Sequence, residues 1–252
     1  MGNNILYFAG CTTRARYSDD IESHIDLLKM IGFNVKTLQD EKCCGDPLLL
    51  TGDEENAKKV AKNNAEAFNA AKVDQIVTEC AGCYRVLSLE YPQLGVRIPK
   101  VRHMSQVLAE NIGKLKFKDG AQKEKVAYHD PCELGRLAGE YDAPRKVIAK
   151  VAELVEPLAT RVESRCCGAG GAIFAAEPEL SVKMAENRIR KDIEPTGVSK
   201  IITACPSCLF NLTVGSSRRE AETGKAIEVL DLSSYVYAKL KEGERQPKER
   251  QE

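Results

Sequence analysis

The chain has 252 residues, 43% hydrophobic and 29% charged, enough apolar material for one large domain or two small ones with a sizeable core. Lys plus Arg equals Asp plus Glu at 37 each, and a formal charge of zero argues against a nucleic-acid binder, which carries a basic excess. No apolar run approaches the roughly 18 residues of a membrane span, so no direct membrane insertion is expected.

At the N-terminus, Tyr7-Phe8-Ala9-Gly10-Cys11 loosely resembles a lipoprotein cleavage box, but no basic stretch or adequate apolar segment precedes it. Gly2 follows Met1, yet Leu6 stands where a myristoylation signal has Ser or Thr. Without an export signal the expected location is the reducing cytoplasm. Residues 5–8 form a short apolar run predicted as a buried strand, with Cys11 just beyond it. Ser18 is expected to cap a helix with apolar residues at Ile21, Ile25, Leu28 and Ile31, stopped by Gly32. Residues 33–38 are predicted as a second strand, Cys43-Cys44-Gly45-Asp46-Pro47 as a turn, 53–71 as a helix and 75–78 as a third strand delivering Cys80 and Cys83. The polar, lysine-rich stretch 113–125 reads as a linker between a first domain, 1–118, and a second, 119–252. Beyond it the order repeats. A strand at 126–128 precedes Cys132, a helix spans 143–152, a strand lies near 154–158, a helix spans 178–193, and a strand at 200–203 precedes Cys205 and Cys208. Residues 241–252 are almost entirely charged or polar and are expected to fray. Strands alternating with helices predict an α/β fold of two pseudo-repeated Rossmann-like domains, with parallel sheets and the cysteine motifs at strand C-terminal ends.

The ten cysteines fall into two sets, Cys11, Cys43, Cys44, Cys80, Cys83 and Cys132, Cys166, Cys167, Cys205, Cys208. The first is spaced C-x31-CC-x35-C-x2-C and the second C-x33-CC-x37-C-x2-C, with an offset of 121 residues at the lone cysteine. The flanks repeat too: Cys43-Cys44-Gly45 answers Cys166-Cys167-Gly168, and Val77-Thr78-Glu79-Cys80 answers Ile202-Thr203-Ala204-Cys205. All five cysteines of each half are therefore expected to converge on one edge of its sheet. Cytosolic thiols are seldom paired as structural disulfides. A tetrahedral zinc site needs four ligands, usually as two pairs. The C-x2-C-x2-C run of bacterial ferredoxins is absent, and a redox C-x2-C explains neither Cys11 nor the Cys43-Cys44 pair. An iron–sulfur cluster is the best chemical fit, because soft thiolates suit iron and sulfide.

These motifs resemble the cysteine-rich CCG domain family, whose members include the B subunit of heterodisulfide reductase and the C-terminal part of its D subunit. The resemblance rests on Phe8-Ala9-Gly10-Cys11, Asp40-Glu41-Lys42-Cys43-Cys44-Gly45, Cys80-Ala81-Gly82-Cys83-Tyr84, His129-Asp130-Pro131-Cys132, Cys166-Cys167-Gly168-Ala169-Gly170-Gly171 and Ala204-Cys205-Pro206-Ser207-Cys208, and spans residues 4–235. It implies that each five-cysteine set holds a noncubane 4Fe-4S cluster, and that a small disulfide is cleaved reductively, or formed, between the two. Cys11, Cys43, Cys44, Cys80 and Cys83 would then hold the first cluster, and Cys132, Cys166, Cys167, Cys205 and Cys208 the second. The larger D-type subunits carry a ferredoxin-like segment ahead of this region. Its absence here implies a partner subunit with ferredoxin-type clusters, with a flavoprotein behind it as a further candidate. Two other implications stay open: an electron relay toward quinone, as in lactate- or glycolate-oxidising and succinate dehydrogenase-type complexes, and zinc in one motif serving as a scaffold.

Gly168-Ala169-Gly170-Gly171 fails the dinucleotide pattern at Ile173, and its glycines are expected to let backbone approach a cluster. His129, three residues before Cys132, is either a structural hydrogen-bonding group or a catalytic proton donor to a departing thiolate. His24 and His103 are expected to be ordinary surface or cap residues. Lys42, Arg85, Arg136 and Arg165, beside the cysteine motifs, either balance cluster charge, bind an anionic substrate group or are solvated.

Overall fold

The structure, a computed structural model, describes residues 3–118 and 123–240; the tail predicted at 241–252 lies outside the described residues. The first half runs β1 (Asn4–Tyr7), α1 (Cys11–Arg16), α2 (Ser18–Met30), β2 (Asn34–Lys36), α3 (Asp46–Leu50), α4 (Glu54–Ala70), β3 (Gln75–Thr78), α5 (Ala81–Arg85), α6 (Tyr91–Gln93), β4 (Lys100–His103) and α7 (Met104–Asn111). The second runs β5 (Lys125–His129), α8 (Asp142–Val151), β6 (Glu153–Leu154), α9 (Ile173–Ala176), α10 (Pro178–Arg188), β7 (Lys200–Thr203), α11 (Pro206–Thr223), β8 (Glu228–Asp231) and α12 (Leu232–Ala238). No helix among the described residues is long and apolar enough to cross a membrane.

Each half is a four-stranded, all-parallel sheet, ordered β2-β1-β3-β4 and β6-β5-β7-β8. The central strands are buried on both faces, as Ile5, Leu6 and Tyr7 of β1 and all of β3 show, which is why they read as continuous apolar runs. Strand order reverses between β1 and β3 and between β5 and β7, where sheets of this type open a crevice at their carboxyl ends. Cys11 and Cys80 leave the chain just beyond β1 and β3, and Cys132 and Cys205 just beyond β5 and β7.

The helices follow local chemistry. Asp53 caps α4 by accepting from the Asn56 N–H, and Ala57, Ala61, Ala65 and Phe68 form its buried stripe. Ser18 opens α2 from within its first turn, with Tyr17 at the cap position. The helix predicted to reach residue 193 ends at Arg188 and continues as a π-helical turn, Ile189–Ile193. The strand expected near 154–158 is reduced to β6, because Pro157 has no N–H to donate and Glu156 turns to Arg145. Strands β4 and β8 at the sheet edges escape the sequence reading, since Lys100-Val101-Arg102-His103 and Glu228-Val229-Leu230-Asp231 begin and end with polar residues.

The halves share a core in which Ile5, Tyr7, Leu27 and Leu28 cluster with Val126, Tyr128, Ile201 and Val236. Helix α12 packs on α2, and α7 on α8. A buried polar seam accompanies this contact. The Tyr7 hydroxyl donates to His24 Nδ1 at 2.6 Å, His24 Nε2 donates to Asp231 at 2.9 Å, and the Ser233 hydroxyl donates to Glu79 at 2.6 Å. Burial and the neighbouring Asp231 push the Glu79 carboxyl well up. The expectation of ordinary surface or cap histidines is corrected for His24, which is buried in this seam, and refined for His103, which caps α7 but is also buried, its Nε2 on the Glu79 carbonyl.

Arg145 anchors the segment leading to Cys132, donating to both oxygens of buried Asp130 at 2.6 and 2.9 Å and to Glu156 at 2.7 Å. Burial pushes Asp130 up, but Arg145 holds it below its ordinary range. Replacing Arg145 by Met strands that carboxylate and is expected to lower stability by about 3–5 kcal/mol, read by urea unfolding under reducing conditions. Because the folded value is depressed, the pair's contribution is full above about pH 3.9, the unfolded value, and declines as pH falls further. The Asp130→Asn variant should lack that acid-dependent decline.

Candidate metal centre

The lone cysteines and the C-x2-C pairs sit at helix starts. Cys11 begins α1 directly after Gly10, whose φ of 80° lies in the left-handed region. A Cβ on Gly10 would stand 3.0 Å from Cys83 Sγ, so the backbone there approaches the thiols as only glycine allows. Cys80 caps α5 and its Sγ accepts from the Cys83 N–H at 3.4 Å; Cys205 caps α11. The adjacent pairs sit in loops pinned by distant side chains. Asn64 donates to the Cys43 carbonyl and the Tyr91 hydroxyl to the Cys44 carbonyl, both at 2.9 Å, while Asn211 donates to the Cys167 carbonyl at 2.5 Å. The Gly45 and Gly168 N–H groups point at Cys43 Sγ (3.5 Å) and Cys166 Sγ (3.3 Å), a matching contact in each half.

The two sets meet. A cavity of about 350 Å³ is lined by all five cysteines of the first set and by Cys132, Cys167, Cys205 and Cys208 of the second, with Cys166 just behind at 3.9 Å from Cys132. Cys11 and Cys43 are 3.8 Å apart and Cys167 and Cys208 3.2 Å, and Cys80 and Cys205 line the same cavity from the two halves. All ten cysteines are free thiols.

Such crowding sets the thiols against one another. Cys43 and Cys83 hold Cys44 down to about 5, while Cys43 and burial push Cys11 up. In the second set Cys132 and Cys167 hold Cys166 low, and Cys166 in turn pushes both of them up. Cys208 and, across the halves, Cys80 hold Cys205 low, and Cys205 pushes Cys80 up. Each thiolate formed forbids its neighbours, so the full set can ionise only around cations. Ten sulfur donors with that demand fit iron, which thiolates bind in deprotonated form.

The remaining expected residues divide. Ala169, Gly170 and Gly171 line the cavity, and Gly168, with φ of 88°, could not carry a Cβ, which would stand 2.6 Å from the Ser181 carbonyl oxygen. Lys42, Arg85, Arg136 and Arg165 do not line it. Lys42 pairs with Asp40 in solvent, Arg136 donates to the Val162 and Ser164 carbonyls, and Arg165 pairs with Asp192. Arg85 binds Asp46 (2.6 Å), Glu90 (2.5 Å) and Glu133. Asp46 and Glu133 are the charged residues on the cavity wall; burial and Glu133 push Asp46 up to about 6 against the pull of Arg85. His129 is buried, its Nδ1 accepting from Arg188 Nε at 3.3 Å. Burial and the Arg188 charge push it down to about 3, which favours the neutral imidazole near pH 7. A larger groove of about 530 Å³, lined by Tyr84, Arg102, Glu110 and Lys146 among others, holds no cysteine.

Sequence reading missed Asp46 and Glu133, although each lies within two residues of a motif cysteine, which was the available signal. Asn64, Tyr91 and Arg188 lie eight or more residues from every motif cysteine and Asn211 lies three past Cys208 on α11, and only the fold brings them in.

The cysteine-rich domain family CCG matches residues 5–88 and 126–213. The D subunit of the dihydromethanophenazine:CoB--CoM heterodisulfide reductase of Methanosarcina acetivorans is 36% identical over 91% of this chain and 57% of its own length. The chain thus spans about half the length of such curated relatives. Lactate utilization protein A of Shouchella clausii is 31% identical over 94% of this chain and 99% of its own. In fold, a hypothetical protein from Helicobacter pylori matches with a TM-score of 0.66 at 10% identity, over 96% of this chain and 50% of that one.

Substituting Gly10 by Ala both strains the backbone and crowds Cys83. Roughly half the iron of anaerobically purified protein should be lost, the second set being untouched, as read by metal analysis with far-UV circular dichroism as the fold control.

Proposed function

The chain belongs to the cysteine-rich CCG domain family, and from that premise we propose that it is the iron–sulfur subunit of a heterodisulfide reductase-like complex, cleaving or forming a small disulfide between two noncubane 4Fe-4S clusters. Cys11, Cys43, Cys44, Cys80 and Cys83 would hold one cluster, and Cys132, Cys166, Cys167, Cys205 and Cys208 the other. The observation that carries this reading is the shared cavity, on which nine of the ten cysteines from both halves converge. When bound, the clusters supply one-electron reducing equivalents. Cleavage of a disulfide takes up two electrons and two protons and yields two thiols.

The chain's own groups prepare that space. Pro47, Leu50 and Phe174 give the cavity an apolar wall, and the Gly45 and Gly168 N–H groups aim at sulfur in each half. Arg85 holds the Asp46 and Glu133 carboxylates at the junction of the halves. The electrons would come from a partner subunit with ferredoxin-type clusters, backed by a flavoprotein, in the cytoplasm, where ten free thiols persist.

A second reading is an electron relay without a substrate of its own, as one component of a lactate- or glycolate-oxidising or succinate dehydrogenase-type complex. It is favoured by the match along nearly the full length of lactate utilization protein A and by the cavity's carboxylates, which disfavour an anionic disulfide. Iron, sulfide and zinc analysis of protein purified without oxygen, followed by disulfide reduction with an artificial donor, separates the readings. The first expects about eight irons, matching sulfide, no zinc and turnover. Full clusters without turnover on any disulfide would leave the relay, and one zinc beside about four irons would make one half a scaffold.

A further inference from the structure

We infer that His129, oriented by Arg188, donates its Nε2–H to sulfur of the centre held by the second cysteine set, and that this donor, whose counterpart in the first half is Phe8, raises that centre's reduction potential.

The proton's place on the ring follows from its partner. Arg188, on α10, is completely buried, and its Nε–H donates to His129 Nδ1 at 3.3 Å. Its Nη1 donates to Asp192 at 2.8 Å and to the Ala159 carbonyl at 2.7 Å, which fixes the guanidinium. A guanidinium has only donors, so Nδ1 is the acceptor and the neutral ring carries its hydrogen on Nε2. That Nε2 is buried and has no hydrogen-bond partner among the described residues. A buried N–H without an acceptor is rare and costly, and marks a place where an acceptor binds. A His129 ring nitrogen and the sulfurs of Cys167 and Cys208 all lie within 4.8 Å of one another, so cluster sulfur is the acceptor at hand.

A donated hydrogen bond stabilises the more negative, reduced state and raises the potential. The 121-residue offset between the lone cysteines puts Phe8 where the second half has His129. Phe8 packs edge-on against Phe68 at 5.6 Å and offers no donor. The glycine N–H contacts to sulfur occur in both halves, so they do not distinguish the two sets. Arg188 is a positioning residue acting through His129.

The inference rests on each set holding a cluster, and the test separates the two claims. Anaerobically purified protein is assayed for iron and sulfide, then titrated redox-potentiometrically with detection by electron paramagnetic resonance. Two potentials are expected. His129→Leu should lower one of them and leave the other in place, His129→Gln should restore most of the loss through its amide N–H, and Arg188→Met should shift the same signal without adding to His129→Leu in the double variant. Normal iron with both potentials unmoved in His129→Leu overturns the inference, as does an equal downward shift of both. If His129→Leu takes up no iron, the Gln and Arg188→Met variants decide by the same criterion. Wild-type protein without iron would sink the cluster reading itself, and this inference with it.

Discussion

Ten thiols brought to one partly enclosed space cannot all lose their protons, because each thiolate raises the cost of the next. Most of the local structure around the cavity answers that constraint. Glycines at positions 10 and 168 let backbone close in where a side chain would collide. Asn64, Tyr91 and Asn211 occupy the carbonyls of the paired cysteines, so that these loops keep their sulfurs turned to the common space. Arg85 neutralises carboxylates that would otherwise add to the crowding of negative charge.

The convergence itself is a property of topology. A parallel sheet whose strand order reverses beside its first strand opens a crevice at that point, and each half places its lone cysteine and its C-x2-C pair there. One such half would present five thiols on an open edge. The common core and the buried seam of Tyr7, His24, Glu79, Asp231 and Ser233 bring the two edges face to face. The pseudo-symmetry is imperfect at Phe8 and His129 and at Thr12 and Glu133, and these departures give the two sites different surroundings.

Much of this was legible in the sequence. The fully buried central strands announced themselves as apolar runs, and the cysteine repeat exposed the duplication, because ligand spacing survives where ordinary core residues drift. Edge strands β4 and β8 were invisible, since half-solvated strands carry charge. The meeting of the two cysteine sets was invisible for a different reason: spacing within a half says nothing of how the halves dock. Arg188 could not have been singled out, standing where α10 passes into a π-helical turn among residues of ordinary helical composition, and the four cations beside the motifs stayed open as charge balancers, anion ligands or solvated groups until their carboxylate and carbonyl partners were seen.

Whether the two sets form one site is open to a direct magnetic measurement. Anaerobic protein should be reduced in steps and followed by electron paramagnetic resonance, with the Cys80→Ser and Cys205→Ser variants in parallel. Facing clusters predict that the fully reduced spectrum shows splitting or broadening absent at half reduction, and that either variant abolishes it. A fully reduced spectrum that is the plain sum of two independent signals would contradict the shared cavity.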